Sequence, residues 1–91
     1  MDQLNTKDLL TTAIQLVGGD RHKDYGDKVK NHKNIAKLWS AYKDVEITPH
    51  DVAIMMVLLK IARTKLGAGS SDTYIDGSAY MSIAGECKSH E

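Results

Sequence analysis

The stretch from Thr48 to Arg63, TPHDVAIMMVLLKIAR, constrains the fold more than any other part of the chain. Thr48 suits an N-cap, Pro49 suits the first helical position, and Asp51 follows the cap by three residues, so together they predict a helix start. The next eight residues, VAIMMVLL, are all apolar and leave no polar face. Such a pattern is typical of a helix surrounded by other helices. We therefore expect this helix to form the core.

The same stretch does not predict a membrane span or a strand. A span needs about 20 apolar residues, whereas His50, Asp51, Lys60 and Arg63 bracket a much shorter run. The apolar pattern also exceeds the roughly 4 to 8 residues of a buried strand, and it begins with a helix cap. A buried helix of a protein outside the membrane is the interpretation that fits both observations.

Size and charge limit the function classes. The 91 residues suit a single helical domain, 1–91, with a modest core that association of copies would help to stabilise. Twelve basic and twelve acidic residues balance, so no global positive field favours nucleic-acid binding. DNA binding through the lysine-rich face of the second helix (Lys30, Lys33, Lys37) is therefore the weakest of three hypotheses.

Cysteine usage and the amino terminus indicate the compartment. Cys87 is the single cysteine, so an internal disulfide framework is excluded and a reducing cytosol is indicated. No catalytic Cys/His spacing is visible, which disfavours nucleophilic catalysis and favours a packing role. The first ten residues, MDQLNTKDLL, lack the features of a secretory signal. We expect a protein of the cytoplasm.

Helical spacing of apolar residues predicts three further helices. The first spans about residues 5–17, with Asn5 or Thr6 as cap and glycines to end it. An amphipathic second helix starts near Lys28, and its short connector to Thr48 predicts a hairpin. The fourth helix has Ser71 or Asp72 as its predicted N-cap, and the last four residues are expected to fray. The prediction is an all-α bundle of about four helices, with completion by oligomerisation left open.

The charged stretch DRHKDYGD, residues 20–27, holds many functional residue types. In one interpretation Arg21, His22, Lys23 and the following Lys28 contact an anionic group, while Tyr25 stacks on a base or sugar. In the other it is a solvated loop between helices. The stretch contains neither a metal-binding HExxH pattern nor a phosphate-binding GxxxxGK[ST] loop.

Three cationic or imidazole side chains in the helices are further ligand candidates. His32 lies on the apolar stripe of the second helix and is either a core histidine or a ligand contact. Lys60 and Arg63 are three residues apart near a helix end. They either stabilise the negative helix terminus or direct two cations into a shared cleft.

The fourth helix places Asp72, Asp76 and Tyr80 on one face, because they are four residues apart. A carboxylate among apolar residues is costly unless it is paired or bound to a metal. Asp76 therefore either pairs with Lys60 or Arg63, or it binds Mg²⁺ together with Asp72. Tyr80 is a candidate ligand contact, and Gly77 indicates tight packing or a site beside the backbone.

Three segments carry a family resemblance: DRHKDYGDKVKNHKNIAKLWSAY, ITPHDVAIMMVLLKIARTK and DTYIDGSAYMSIAGE. They resemble a family of small phage and prophage proteins over about residues 18–86. That family is more distantly similar to the MazG-type all-α nucleoside triphosphate pyrophosphohydrolases, whose ExxE and ExxD pairs hold magnesium. Asp72 with Asp76 is the nearest equivalent here. Helices two and three hold Asn31, His32, Lys60 and Arg63 in place of a glutamate pair, so the resemblance favours nucleotide binding over hydrolysis.

Two hypotheses of different classes follow. The first is a phage-type accessory protein that binds a nucleotide or related phosphorylated metabolite, with magnesium-dependent pyrophosphohydrolase activity left open. The second is a non-enzymatic module that forms homo-oligomers or binds a host protein, for example to sequester a signalling nucleotide or to inhibit that protein.

Overall fold

Four helices make up the parts of the chain that the structure describes, which are residues 3–18, 27–65 and 70–91 of a computed structural model. Helix α1 is Thr6–Gly18, α2 is Lys28–Lys43, α3 is Pro49–Lys65 and α4 is Ser71–Ser89. These ranges contain no strand. The all-α bundle of about four helices is confirmed. None of the described helices combines the length and apolar character that crossing a bilayer requires.

Side chains that precede α1 and α2 satisfy the free N–H groups of their first turns. Asn5 Oδ1 accepts a hydrogen bond from the Lys7 N–H at 2.8 Å, and Asp27 Oδ1 accepts one from the Val29 N–H at 2.8 Å. Each bond pairs a donor that the helix itself leaves unpaired. Of the two caps predicted for α1, Asn5 rather than Thr6 therefore makes the capping hydrogen bond.

A reciprocal capping box starts α3. The Asp51 N–H donates to Thr48 Oγ1 at 3.0 Å, and the Thr48 N–H donates to Asp51 Oδ2 at 3.0 Å. The start of α4 differs from the prediction, because Ser70, rather than Ser71 or Asp72, is the N-cap, with extended backbone at φ −85° and ψ 165°. Several small polar residues in succession give the same capping pattern, so the sequence did not distinguish them.

Ser40 closes the hairpin between α2 and α3. Its hydroxyl accepts a hydrogen bond from the Ile47 N–H at 2.8 Å and donates to the Ile47 carbonyl at 3.1 Å. Asp44 ends α2 in the left-handed conformation at φ 55°, which short polar side chains tolerate, and its N–H donates to the Ser40 carbonyl. These contacts confirm the predicted hairpin.

Helix α4 is the centre of the core. One buried cluster joins α2, α3 and α4, and a second joins α1 to α4. The first comprises Val29, Ala53, Ile83, Ala84 and Cys87, and the second comprises Ala13, Ile75 and Ala79. Because α4 contributes to both clusters and contacts each of the other helices, it takes the position that the sequence assigned to α3.

The prediction that α3 is surrounded by other helices is wrong. Val52 and Ala53 are fully buried, but Met55 is 44%, Leu58 58% and Leu59 44% exposed. Helix α3 packs against α4 and α2, and the opposite side faces solvent because no further described helix covers it. The other described helices pack around α4 instead, so they leave this side of α3 uncovered.

The end of α4 is held rather than frayed. The helix continues to Ser89, and Glu91 Oε1 accepts a hydrogen bond from the His50 N–H at 3.3 Å. Desolvation acts to raise the pKa of the Glu91 carboxyl. Hydrogen bonds from His50 and Thr48 and the positive charge of Lys88 outweigh that effect and lower the pKa below its ordinary value of 4.5. The carboxylate thus joins α4 to the start of α3.

Candidate functional site

The structure describes six of the nine ligand and metal candidates from the sequence. Arg21, Lys23 and Tyr25 lie outside the described residues. Of the other six, four lie along the contacts that α4 makes with α3 and α2, and two are exposed to solvent. The four are His32, Lys60, Asp76 and Tyr80, and the two are Arg63 and Asp72.

An ion pair joins α3 to α4. Lys60 Nζ lies 3.2 Å from Asp76 Oδ2, and the two side chains are only 13% and 27% exposed. This is the pairing that the sequence offered as one of two roles for Asp76. A Cβ on Gly77 would lie 3.8 Å from the Lys60 Cβ, which is ordinary van der Waals contact. Tight packing therefore does not require glycine at this position.

His32 and Tyr80 meet between α2 and α4. Their ring centroids are 6.3 Å apart, with the planes tilted by 59°. His32 is 5% exposed, and its Nδ1 lies 2.8 Å from the Lys28 carbonyl oxygen. Because a carbonyl only accepts hydrogen bonds, Nδ1 carries the proton that it donates. The buried Nε2 has no hydrogen-bond partner among the described residues, so it retains unused hydrogen-bonding capacity.

These two contacts form one polar row, which we define as Lys60, Asp76, Tyr80 and His32. Asp76 and Tyr80 are one helical turn apart on α4 and so share a face. Lys60 extends the row to α3 and His32 extends it to α2. The tertiary structure thus brings together residues that are up to 48 positions apart in sequence, from 32 to 80.

An apolar groove lies beside the polar row. It has a volume of about 480 Å³, and its walls come from α1, α3 and α4. Lys60 borders both the groove and the row, and Tyr74 adds an aromatic ring that sequence analysis did not select. The complete lining is Leu10, Val57, Lys60, Ile61, Thr64, Thr73, Tyr74, Gly77, Ser78, Met81 and Ser82. Val57, Ile61 and Thr64 follow one another by four and three residues, so helical spacing places them on one side of α3. The sequence does not reveal which helix they face.

Arg63 and Asp72 are exposed, and neither forms an ion pair with a described residue. Arg63 is one turn beyond Lys60, and Asp72 is one turn before Asp76. Within the described ranges, no group of three or more His, Cys, Asp or Glu side chains is placed to hold a metal ion. Of the two predicted metal ligands, Asp76 already contacts Lys60 through one carboxylate oxygen.

Cys87 lies beyond the row, near the end of α4, and is 1% exposed. Burial raises the pKa of the Cys87 thiol above its ordinary value of 9.0, and the negative charges of Glu86 and Glu91 raise it further. Glu86 in turn pairs with Lys28 at 3.4 Å. A buried, protonated thiol packs as a small apolar group, which agrees with the packing role that the sequence suggested.

The geometry defines a small all-α domain with a partly buried polar row between three helices. The chain belongs to DUF6378, a domain family of unknown function whose model matches residues 8–88. It is 50% identical over 76 residues to the Gene 55 protein of Mycobacterium phage L5 and 40% identical over 75 residues to that of Mycobacterium phage D29.

Each alignment covers 82% of this chain and 49% or 50% of the phage protein, so the chain spans about half the length of these relatives. No solved structure matches the chain.

Proposed function

We propose that the polar row and the adjoining groove bind a nucleotide or a related phosphorylated small molecule. The observation that carries the proposal is the position of Lys60, whose side chain is 13% exposed, pairs with a single carboxylate and borders an apolar groove. A buried cation is costly unless it contacts anions. An anionic ligand would supply further acceptors for the three ammonium donors.

The groove suits the remainder of such a ligand. Its volume of about 480 Å³ lies within the roughly 300–1,000 Å³ of small-molecule sites. Tyr74 offers a ring surface for stacking, and Ser78 and Ser82 offer hydroxyl groups. His32 Nε2 offers a hydrogen-bonding position at the other end of the row. We propose the exposed Arg63 as a further ligand contact, together with Arg21, Lys23 and Tyr25 of the charged stretch 20–27.

Magnesium enters the proposal together with the ligand. Mg²⁺ typically binds one or two carboxylates plus phosphate oxygens and keeps several waters. Asp72 and Asp76 match that requirement in residue type. The metal and a phosphate would together replace the contact that Asp76 now makes with Lys60. Pyrophosphate hydrolysis, which the MazG resemblance implies, is the extension of this proposal that requires the metal.

Thermal unfolding with nucleoside mono-, di- and triphosphates, each with and without magnesium, tests the proposal. A ligand that binds only the folded chain at about 100 times its Kd stabilises it by about 2.7 kcal/mol. Lys60→Met should abolish the rise in Tm, whereas Lys37→Met, at an exposed lysine of α2, should retain it. Absence of any shift across the panel would refute the proposal.

Two glycines of α4 give a matched pair of variants. Gly77 lines the groove, and a Cβ added to it would lie 3.8 Å from the Lys60 Cβ. A Cβ added to Gly85 would have no atom within 4 Å. Alanine in place of either glycine should stabilise the helix by roughly 0.5–1 kcal/mol. Only Gly77→Ala narrows the groove, so it alone should weaken nucleotide binding. Equal binding by both variants would place the ligand elsewhere.

The second candidate function is a non-enzymatic module that binds a host protein or its own copies. The exposed apolar residues of α3 favour it. An assay of pyrophosphate release distinguishes an enzyme that hydrolyses nucleotides from a protein that only binds them. If the chain hydrolyses nucleotides through the proposed metal, Asp76→Asn should abolish release. If wild type binds nucleotide without releasing pyrophosphate, the chain is a binder.

A further inference from the structure

Helix α3 presents a second surface that the polar row does not use. We call it the outer stripe and define it as Met55, Leu58, Leu59 and Ala62. All four residues are exposed, with Leu58 at 58% and Met55 and Leu59 at 44%. Their spacing of three, four and seven residues places them on one side of the helix, opposite buried Ala53. Monomeric proteins rarely expose a continuous stripe of this kind.

Charged residues at the two ends of the outer stripe are arranged symmetrically. Asp51 precedes Leu58 by seven residues and Lys65 follows it by seven, so both lie two turns away on nearly the same face. Lys65 is exposed, and the Asp51 side chain remains 50% exposed although its Oδ2 accepts the Thr48 N–H. The stripe is thus acidic at one end and basic at the other.

We propose that a second copy of this chain packs on the outer stripe, with the two α3 helices antiparallel about a twofold axis at Leu58. A twofold interface uses the same surface on both copies. Reversal of one helix about Leu58 sets Asp51 opposite Lys65 of the second copy, and the reverse pair forms at the other end. Met55 lies three residues before Leu58 and Ala62 lies four after it, so Met55 faces Ala62 of the second copy with an axial offset of one residue, about 1.5 Å. A large side chain thus meets a small one.

The same arrangement explains why the occupant is another copy. A parallel pair would place Asp51 beside Asp51 and Lys65 beside Lys65, and like charges at an interface are unfavourable. An unrelated protein has no reason to require charges at equal distances on both sides of Leu58. This inference does not depend on nucleotide binding, because the outer stripe and the polar row are on different sides of α3.

The size of the surface sets the expected strength. A helix of 17 residues is about 25 Å long, and a single pair of helices buries less than the roughly 800 Å² per partner of a standard stable interface. We therefore expect a reversible dimer with Kd in the micromolar range or weaker. The weight-average mass in solution should therefore rise with protein concentration, whereas a permanent dimer would keep twice the mass of the chain at every concentration.

Sedimentation equilibrium from about 5 µM to about 1 mM, a range that brackets such affinities, tests the proposal. The weight-average mass of wild type should rise from 10.0 kDa towards twice that value. Leu58→Glu should stay monomeric, because the twofold axis brings its two carboxylates together. Leu38→Glu is the matched control, since Leu38 is 63% exposed on α2, and it should associate as wild type does.

Two further variants test the antiparallel register. Lys65→Glu should weaken the dimer roughly three- to tenfold, because it sets two carboxylates opposite each other at both ends. Met55→Cys and Ala62→Cys should form a disulfide when mixed but not alone, since only opposite positions meet the Cα separation of about 4.4–6.8 Å. Buried Cys87 does not compete in this assay.

Three results would overturn the inference. The first is a wild-type chain that remains monomeric at the highest concentration. The second is a Leu58→Glu variant that associates as strongly as wild type, which would move the interface to another surface. The third is a result that excludes the antiparallel register, which would be either cross-linking of one cysteine variant with itself in place of the mixture or a dimer that Lys65→Glu does not weaken. Circular dichroism of each variant checks that the helices remain folded.

Discussion

A double-mutant cycle on Lys60 and Asp76 would measure how much the polar row contributes to stability. Unit charges 3.2 Å apart attract each other by about 5 kcal/mol at an effective dielectric constant of about 20. The cost of removing both groups from water offsets part of that attraction. Because Asp76 keeps 27% of its side-chain exposure, we expect a net coupling of about 2 kcal/mol, between typical exposed and buried pairs.

The two single substitutions should differ. Asp76→Asn leaves the more buried ammonium of Lys60 without its carboxylate and should cost about 2–3 kcal/mol. Lys60→Met leaves a carboxylate that is partly in contact with water, so the loss should be smaller. The double variant contains no unpaired charge and should be more stable than the sum of the single effects predicts. For a chain of this length, about 1 kcal/mol corresponds to a Tm change of about 4–8 °C.

Urea unfolding followed by circular dichroism gives the four free energies. The control cycle uses Lys28→Met and Glu86→Gln, because that pair is longer at 3.4 Å and more exposed, at 26% and 41%. Its coupling should stay below about 1 kcal/mol. A Lys60–Asp76 coupling no larger than that of the control pair would refute the conclusion that the row is partly desolvated. The same result would remove the main support for an anion site at Lys60.

Two further predictions concern the end of α4. Because the pKa of Glu91 is lowered in the fold, its stabilising effect is fully present above its ordinary pKa of 4.5 and is lost as the pH falls through the folded value. Glu91→Gln should therefore be less stable than wild type at neutral pH, and it should lose less stability between about pH 6 and pH 3. Urea unfolding of both proteins across this pH range measures the difference. Parallel curves of unfolding free energy against pH would contradict the His50 contact. Because burial raises the pKa of Cys87, iodoacetamide should alkylate it far more slowly in the native chain than in urea at pH 8, and equal rates would show that the thiol is accessible.

Local sequence patterns predicted the helices well, because helix starts depend on neighbouring residues. Asn5 and the Thr48–Asp51 capping box form hydrogen bonds over two or three positions. The order of apolar and polar residues identified all four helices for the same reason. The cap of α4 was misplaced by one residue, since several adjacent polar residues have similar capping preferences.

The polar row was predictable only as a set of residue types. Sequence reasoning selected Lys60, Asp76, Tyr80 and His32, and it offered an ion pair for Asp76. It also selected Arg63 and Asp72 on equal terms, because both have the same chemistry and nearly the same helical spacing. Only packing of α4 between its neighbours decides which carboxylate meets Lys60. Tyr74 was missed because its value depends on a groove between helices that are distant in sequence.

Helix α3 shows most clearly what each level of structure determines. The sequence by itself established that Thr48 begins a helix and that its middle is apolar on every side, because both properties are local. Tertiary structure decided that Ala53 is buried while Leu58 is exposed, since burial depends on how many other helices are present to cover a surface. A helix that is apolar on every side predicts that other helices cover it. It does not specify whether those helices come from the same chain or from a second copy.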